Sequence, residues 1–269
     1  MAEYYTNERG TFVKNPDLIN FPLGEDYKRD EDLNDLIKDK TIAYVGPAPN
    51  LQDCGMGEFI DSHDLVFRLG DSPVGFLGKT GKEKDYGSRS DVLVHSFNSH
   101  DRPELQKDVN WLRSLKYFLE SMVQSHETPE QEKWFNEIGV PVHSIPDHHI
   151  KSDDGWNKGK PGYLYDYLGS LPNTGFIGLL ALMYYDIKSV YLTGFTFYNM
   201  GGWSDAGNCY FDDWYETGKY KRHGLNEAHG LHKPMADINH FKDILKVEKH
   251  RNKIKLDEYL MKHFGVFYE

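Results

Sequence analysis

The chain has 269 residues, 39% hydrophobic and 27% charged, which is enough apolar material for a folded core and speaks against wholesale disorder. The formal net charge of −11 argues against a nucleic-acid-binding surface, because a phosphate polymer would be repelled overall. No stretch approaches the roughly 20 apolar residues of a membrane span, and the N-terminus lacks a signal-peptide pattern. These features predict a soluble, cytoplasmic protein.

The N-terminal region, residues 1–40, is polar and carries a charged run. Within that run three apolar residues fall at helical spacing, Leu33, Leu36 and Ile37. We therefore predict an irregular extension with one short amphipathic helix, followed by a single main domain over residues 41–269.

In the main domain, strand-like apolar runs alternate with helical patterns. A longer segment, Trp111–Val123, fits a helix or a strand. The alternation predicts an α/β fold with a single doubly wound, mostly parallel, Rossmann-like sheet flanked by helices. The predicted strands are Thr41–Val45, Leu65–Arg68, Asp91–Ser96, Val140–Ile145 and Lys188–Thr193. The predicted helices are Glu130–Glu137, the apolar run that follows Gly175, Lys233–Lys249 and Leu256–Phe264.

The chain has two cysteines, Cys54 and Cys209, and neither belongs to a Cys-x-x-Cys or Cys/His cluster. Two isolated thiols in a chain of this length are more often free than paired. We predict no zinc site at either position.

The first segment that points to function begins where the strand TIAYV breaks into a glycine- and proline-rich turn. A second strand follows closely, and then the sequence DYGSRS at Asp85–Ser90. Turns of this kind build ligand crevices at the carboxyl edge of α/β sheets. The candidate binding residues are Gly46, Pro47, Ala48 and Asn50 in the turn, with Arg68 and Gly70 at the end of the second strand.

The second segment runs from Pro172 to Phe195 and contains an apolar helix that leads into a strand. Asn173 and Thr174 are good N-cap residues, and Gly175 lets a ligand approach the backbone. A helix N-terminus of this kind suits a phosphate or a carboxylate. Taken alone, Asn173 is also explained as the cap of a buried helix. The strand at the end of the segment closes on Gly194 and Phe195, two further candidates.

In order and spacing, these two segments resemble the large and small sialylmotifs of glycosyltransferase family 29, the animal-type sialyltransferases. The resemblance covers roughly residues 41–243. It implies a GT-A-variant fold, a catalytic domain in the main domain, and a CMP-sugar donor held by the residues named above.

A third segment resembles the very small sialylmotif, His-x4-Glu, with His232 as the histidine and Asp237 in place of the glutamate. A histidine takes up a proton near neutral pH, and the resemblance implies that His232 is the general base for the acceptor hydroxyl. Asp237 would support it. His229 is the rival candidate, but only His232 has the acidic residue at the right spacing.

Between these segments, GNCYFDDWYE at Gly207–Glu216 is similar to the family's third short motif. The resemblance places Tyr210 at a position that often carries His or Tyr and adds it to the donor-binding candidates. The alternative is an aromatic cluster that packs a loop.

The chain departs from the family pattern at two donor positions, because Pro47 and Gly70 stand where the family usually has asparagines. Two side-chain donors lost from one pocket weaken binding unless others replace them. The family's disulfide is also missing, since Ile42 stands at its first cysteine and the second falls near Tyr185 and Asp186.

The resemblance implies an inverting transfer of an acidic sugar from a CMP-sugar to a glycan hydroxyl, without a cofactor. We expect no metal, because CMP carries a single phosphate, and we interpret Asp153-Asp154 and Asp212-Asp213 as solvated loop acids. The expected partners are the CMP-sugar and a glycan acceptor, with no nucleic acid and no membrane span. Two alternatives remain open: a CMP-sugar hydrolase, and a catalytically weak nucleotide- or glycan-binding protein.

Overall fold

The chain is organised around a seven-stranded sheet in which every neighbouring pair of strands is parallel. The structure, a computed structural model, describes residues 4–7, 10–13, 23, 27–70, 74–97, 102–123, 128–146, 164, 168, 172–197 and 234–269. The strands of this sheet are β3 (Thr41–Val45), β4 (Leu65–Leu69), β5 (Val92–His95), β6 (Tyr117–Val123), β7 (Val142–Pro146), β8 (Ser189–Thr193) and β9 (Ile254–Leu256).

The order of the strands across the sheet is β7-β6-β5-β4-β3-β8-β9. From β3 the chain moves outward to β7, and it then returns to the other side of β3 with β8 and β9. The strand order therefore reverses between β3 and β8. In open α/β sheets, ligands bind beyond the carboxyl ends of the strands at such a point.

The helices cover both faces of the sheet. Neighbouring residues of a central strand point to opposite faces, so one strand contributes to two core clusters. Tyr44 belongs to the largest core cluster, together with the apolar helix that follows Asn173. Ala43 and Val45 belong to a separate cluster on the other face. The helices are α1 (Glu31–Ile37), α2 (Gly57–Asp61), α3 (Glu83–Tyr86), α4 (Arg102–Leu105), α5 (Val109–Ser114), α6 (Thr128–Ile138), α7 (Thr174–Leu182), α8 (Pro234–Lys246), α9 (Glu248–Arg251) and α10 (Glu258–Phe264).

Helix α7 is apolar on all sides, and every residue after Thr174 is buried. A helix of this composition is stable only inside a core. Asn173 caps it, because its side-chain oxygen accepts a hydrogen bond from Phe176 N at 2.9 Å. The predicted doubly wound α/β fold is confirmed, and α7 lies against β5 and β6 near its centre.

Three details differ from the sequence prediction. The N-terminal extension is not wholly irregular, because β1 (Tyr4–Asn7) and β2 (Gly10–Val13) pair as antiparallel strands. The ambiguous Trp111–Val123 segment contains both elements, since α5 ends at Ser114 and β6 begins at Tyr117.

At the C-terminus the predicted helix to Lys249 is interrupted at Val247, whose backbone is extended, with ψ 112°. The chain then forms β9, a strand that the sequence did not predict. Helix α1 was predicted, and its Leu33 and Ile37 are fully buried in the same cluster as Ile42 of β3. Among the described helices, none is long and apolar enough to cross a bilayer.

Candidate functional site

The carboxyl ends of β3 and β8 meet through two glycines. A Cβ atom on Gly46 would overlap the carbonyl oxygen of Gly194, and a Cβ atom on Gly194 would overlap the carbonyl oxygen of Gly46. Gly194 also has φ +71°, a conformation that favours glycine. Only glycine fits either position, so the two backbones touch where the strand order reverses.

Backbone hydrogen bonds hold the turn after β3 against the end of β8. Gly46 N donates to the carbonyl oxygen of Thr193 at 2.9 Å, and Ala48 N donates to that of Gly194 at 3.0 Å. Pro47 has no N–H and lies between these two donors. The predicted residues Gly46, Pro47 and Ala48 in the turn and Gly194 after β8 therefore lie together at this edge of the sheet.

Asp257, at the end of β9, adds a buried carboxylate to the same place. Its Oδ2 accepts hydrogen bonds from Thr193 Oγ1 at 2.8 Å, Asn50 Nδ2 at 3.3 Å and Gly194 N at 3.4 Å. Its Oδ1 caps α10 by accepting from Leu260 N at 2.7 Å. Burial raises the pKa of Asp257, and these donors act in the opposite direction.

The start of α7 approaches the same edge from one face of the sheet. Tyr44, fully buried in β3, donates a hydrogen bond to the carbonyl oxygen of Gly175 at 2.7 Å. Its ring stacks on Phe195, with the ring centroids 5.7 Å apart. A Cβ on Gly175 would come within 2.8 Å of Leu69 Cδ1. A larger residue at position 175 would therefore require the Leu69 side chain to shift.

Helix α8 is joined to the start of α7 by one carboxylate. Asp237 Oδ2 accepts hydrogen bonds from Asn173 Nδ2 at 2.7 Å and from Asn173 N at 3.3 Å. The Asn173 side chain thus caps α7 with its oxygen and holds α8 with its nitrogen. The interpretation of Asn173 as a cap is confirmed, and the link to Asp237 gives it a second role.

Asp237 is fully buried, and its Oδ1 has no hydrogen-bond partner among the described residues. Burial raises the pKa of this carboxyl to about 7, although the two bonds from Asn173 act to lower it. A buried carboxyl with one free oxygen and a pKa near neutrality is typical of functional sites.

Three other predicted residues lie at or near this edge of the sheet. Thr174 is the half-buried first residue of α7. Gly70 follows β4 with φ +64°, and a Cβ there would meet no atom within 4 Å. Asn50 binds Asp257 through its nitrogen, while its Oδ1 is buried without a partner in the described part of the chain.

Arg68 is placed differently from the other candidates. It is fully buried, and its Nη1 and Nε donate hydrogen bonds to the carbonyl oxygens of Tyr86 at 2.6 Å and Arg89 at 2.8 Å. The guanidinium also stacks on the Tyr86 ring, 4.3 Å from its centroid. Burial lowers the pKa of Arg68. In this structure Arg68 anchors the DYGSRS segment, and its donor-binding role stays a prediction.

The DYGSRS segment runs between the two ends of the sheet. Its Asp85 carboxylate accepts hydrogen bonds from Asp53 N and Gly55 N in the loop after β3, whereas Ser88 and Arg89 lie at the opposite, amino end. Arg89 donates through its two Nη atoms to the carbonyl oxygens of Asp61, His63 and Asp64 and to the carboxylate of Asp91. These groups end α2 and precede β4 and β5. This part of the motif therefore supports the sheet at the end away from the crevice.

Three predicted residues, His232, Tyr210 and the rival His229, lie outside the described residues, as does Cys209. In the sequence, His232 stands two positions before Pro234, where α8 begins. Cys54 is a free thiol. Within the described ranges, no group of three or more His, Cys, Asp or Glu side chains is arranged to hold a metal ion.

Sequence reasoning did not identify Tyr44 or Asp257. Tyr44 sits in an apolar strand and gives no signal of its own. Asp257 precedes Glu258 and an apolar run, a pattern that indicates a helix cap but not the contact with β8.

Comparison with known proteins supports the family resemblance. The model of glycosyltransferase family 29 (sialyltransferase) matches residues 28–244 of this chain. A comparison with curated protein sequences gave no significant match.

Two solved structures share the fold at low sequence identity. One is a mammalian sialyltransferase in complex with Gal-beta-1-3GalNAc-ortho-nitrophenol, with 17% identity and TM-score 0.53 over 90% of this chain and 78% of that one. The other is the sialyltransferase CstII from Campylobacter jejuni in complex with the substrate analogue CMP-3FNeuAc. It has 13% identity and TM-score 0.52 over 84% of this chain and 85% of that one. Since the family model spans most of the sequence, this chain belongs to glycosyltransferase family 29, the sialyltransferase family, and is a glycosyltransferase.

Proposed function

We propose that this glycosyltransferase moves an acidic sugar from a CMP-sugar donor to a hydroxyl group of a glycan, with inversion at the anomeric carbon. Family membership and the shared fold support the donor class, since one structural neighbour was solved with CMP-3FNeuAc and another with cytidine-5'-monophosphate. A neighbour solved with a disaccharide derivative supports a glycan acceptor.

The observation that carries the proposal is the Asn173–Asp237 link, with its 2.7 Å hydrogen bond. It joins the segment that resembles the small sialylmotif to the segment that resembles the very small one. The join lies next to Gly175, at the point where the strand order reverses. Two segments distant in sequence thus meet where an α/β sheet binds its ligand.

On the donor side, the start of α7 suits the CMP phosphate. Helix geometry leaves the first N–H groups without partners inside the helix, and Asn173 takes only that of Phe176. The N–H groups of Thr174 and Gly175 are the proposed donors to the phosphate, with help from the helix dipole. Gly46 and Gly194 keep this side free of side chains.

On the acceptor side, His232 is the proposed general base. It takes the proton of the acceptor hydroxyl as that oxygen bonds to the anomeric carbon of the sugar. The bond from that carbon to the phosphate oxygen breaks, and CMP leaves with the electron pair. Charge grows on the phosphate, where the start of α7 stabilises it. Asp237 positions α8, which begins two residues after His232.

The proposal is tested by release of CMP from a panel of CMP-sugars with mixed glycan acceptors. We expect His232→Gln to lower transfer by about a hundredfold or more at unchanged folding, in line with loss of a general base. His229→Gln is the matched control and should transfer at nearly the wild-type rate. Near-wild-type transfer by His232→Gln would show that the base is another residue.

Two further readings separate the alternatives in the same assay. If CMP release is undiminished when every acceptor is omitted, the chain is a hydrolase. If CMP binds but no CMP-sugar turns over, it is a binding protein. Loss of transfer with a chelator, restored by manganese, would contradict the metal-free mechanism.

A further inference from the structure

Asp257 joins three segments although it lies beyond residue 244, where the match to the family model ends. Its side chain binds Asn50 in the turn after β3, and Thr193 and Gly194 at the end of β8. No other described carboxylate receives hydrogen bonds from both sides of the Gly46–Gly194 contact. Asp257 therefore adds a side-chain link between the turn and the strand to the backbone hydrogen bonds of Gly46 and Ala48.

The contact also fixes which way the Asn50 amide faces. A carboxylate only accepts hydrogen bonds, so Asn50 turns its NH2 group toward Asp257, with 3.3 Å between Nδ2 and Oδ2. The carbonyl oxygen Oδ1 then points away from Asp257. It is buried and has no partner among the described residues. A buried carbonyl oxygen in this state requires a donor to offset its lost hydration.

We propose that Asp257 is a positioning residue for the nucleotide: it orients Asn50 so that Oδ1 accepts a hydrogen bond from a hydroxyl or amino group of CMP. This inference rests on the proposed function. The ribose hydroxyls and the cytosine amino group both supply such a hydrogen, whereas the ionised phosphate does not. Asn50 therefore binds the nucleoside, while the N–H groups at the start of α7 bind the phosphate.

The orientation argument predicts a reciprocal pair of substitutions. In Asp257→Asn, one of the two oxygens becomes an NH2 group, which donates where the wild-type carboxylate only accepts. It replaces either the oxygen that accepts from Asn50, Thr193 and Gly194 or the oxygen that accepts from Leu260 N, so the side chain no longer fixes the orientation of the Asn50 amide. In Asn50→Asp, two carboxylates face each other. In the double variant, the carboxylate introduced at position 50 accepts from the amide at position 257, and its other oxygen is again an acceptor for the nucleotide.

Calorimetric titration with CMP measures the effect. We expect each single variant to bind CMP about tenfold or more weakly, since a buried polar group loses its partner. The double variant should recover most of the affinity. Asn50→Ala leaves Asp257 intact and should also weaken binding, which keeps the test valid if Asp257→Asn does not fold.

Nucleotide analogues identify the group that Asn50 recognises. The probes are 2′-deoxy-CMP, 3′-deoxy-CMP and UMP, which lacks the amino group. The analogue that lacks the partner of Asn50 should bind the wild type weakly and should lose no further affinity in Asp257→Asn. If every analogue loses affinity in Asp257→Asn as CMP does, Asn50 does not contact the nucleotide.

A matched control separates positioning from helix capping. Asp30 caps α1 through a hydrogen bond of 2.7 Å from Leu33 N, the same length as the Asp257–Leu260 bond. Asp30→Ala, which removes this cap, should lower stability and leave CMP affinity unchanged. Wild-type affinity in folded Asp257→Asn or Asn50→Ala, or no recovery in the double variant, would overturn the inference alone. If the wild type binds neither CMP nor a CMP-sugar, both the proposed function and this inference are wrong.

Discussion

At the amino end of the sheet, the carboxylates of Asp61 and Asp91 accept hydrogen bonds from backbone N–H groups, and that of Asp91 also accepts one from the Arg89 side chain. Toward the carboxyl end, Asp237 and Glu120 are fully buried, and each keeps one oxygen without a hydrogen-bond partner among the described residues. Burial raises the pKa of Asp237 to about 7 and that of Glu120 to about 8.

The contrast distinguishes two kinds of carboxylate, those that stabilise the fold and those that are candidates for a function. Buried carboxylates whose oxygens are all satisfied hold segments together, whereas a buried free oxygen is costly and calls for a function. The segment that resembles the large sialylmotif contains both kinds of region. Its Gly46 end lies at the carboxyl edge of the sheet, where we propose that the donor binds, and its Arg89 end lies at the amino edge. Substitutions at the carboxyl end should therefore impair sugar transfer, whereas substitutions at the amino end should lower stability and leave CMP binding intact.

The largest effect is expected from Gly194→Ala. The added Cβ would overlap the carbonyl oxygen of Gly46, which is backbone and cannot turn aside. We expect a loss of about 4 kcal/mol in unfolding free energy, together with loss of transfer. Chemical denaturation measures the first and CMP release the second.

Gly70→Ala is the matched control, because Gly70 also has a positive φ but an added Cβ there meets no atom of the described residues within 4 Å. Only backbone strain remains, and we expect a loss of about 1 kcal/mol. Equal losses in the two variants would contradict a close approach between Gly46 and Gly194.

Arg89→Ala tests the amino end. It removes hydrogen bonds to three carbonyl oxygens and to the Asp91 carboxylate, and we expect a loss of about 3 kcal/mol in stability. The variant should still bind CMP with wild-type affinity under conditions where it is folded. Arg113→Ala, at an exposed arginine with a single bond to Ile138, should cost less than about 1 kcal/mol. Weakened CMP binding in folded Arg89→Ala would show that the amino end of the sheet also affects CMP binding.

Glu120→Gln tests the buried free oxygen through its pH dependence. The raised pKa means that the folded state keeps a proton that the unfolded state loses above about 4.5, so stability falls from there until about pH 8. The glutamine still accepts the hydrogen bond from Ser144 but does not titrate. We expect it to add on the order of 2 kcal/mol at pH 8 and little near pH 4.5. Glu132→Gln, at an exposed residue, is the control. If the stability of Glu120→Gln and of the wild type depends on pH in the same way, the burial argument is wrong.

Asn173→Ser should have the smallest effect on stability. Serine still caps α7 and keeps the backbone bond to Asp237 but cannot replace the Nδ2 bond, so we expect a loss of about 1 kcal/mol. Transfer should fall more than stability, because α8 is no longer held beside the start of α7. Asn173→Ala, which removes cap and link together, should be less stable and equally impaired in transfer. Full activity in Asn173→Ser would show that the link does not position α8.

The sequence predicted the core strands and α7 well, because long apolar runs dominate their burial. It missed β9, where only Ile254 is fully buried in a strand of three residues. The antiparallel strands β1 and β2 have four residues each, too few for an alternating pattern to stand out. In the site, the turn after β3 and the Asn173 cap were visible as glycine and N-cap patterns. Tyr44 and Asp257 were not visible, since their roles depend on contacts between distant segments. The burial of Arg68 was not visible either, because an arginine is usually exposed.

The pairing of β3 with β8 has a consequence for folding. The two strands are neighbours in the sheet, with Thr41 opposite Ser189, yet the four strands β4 to β7 lie between them in the chain. Parallel pairing between remote segments is slow to form, because the intervening loop entropy must be lost first. The Gly46–Gly194 contact therefore arises late, after the first half of the sheet. A nucleotide that needs both glycines can bind only completed molecules, and by mass action it draws partly folded chains toward the native state.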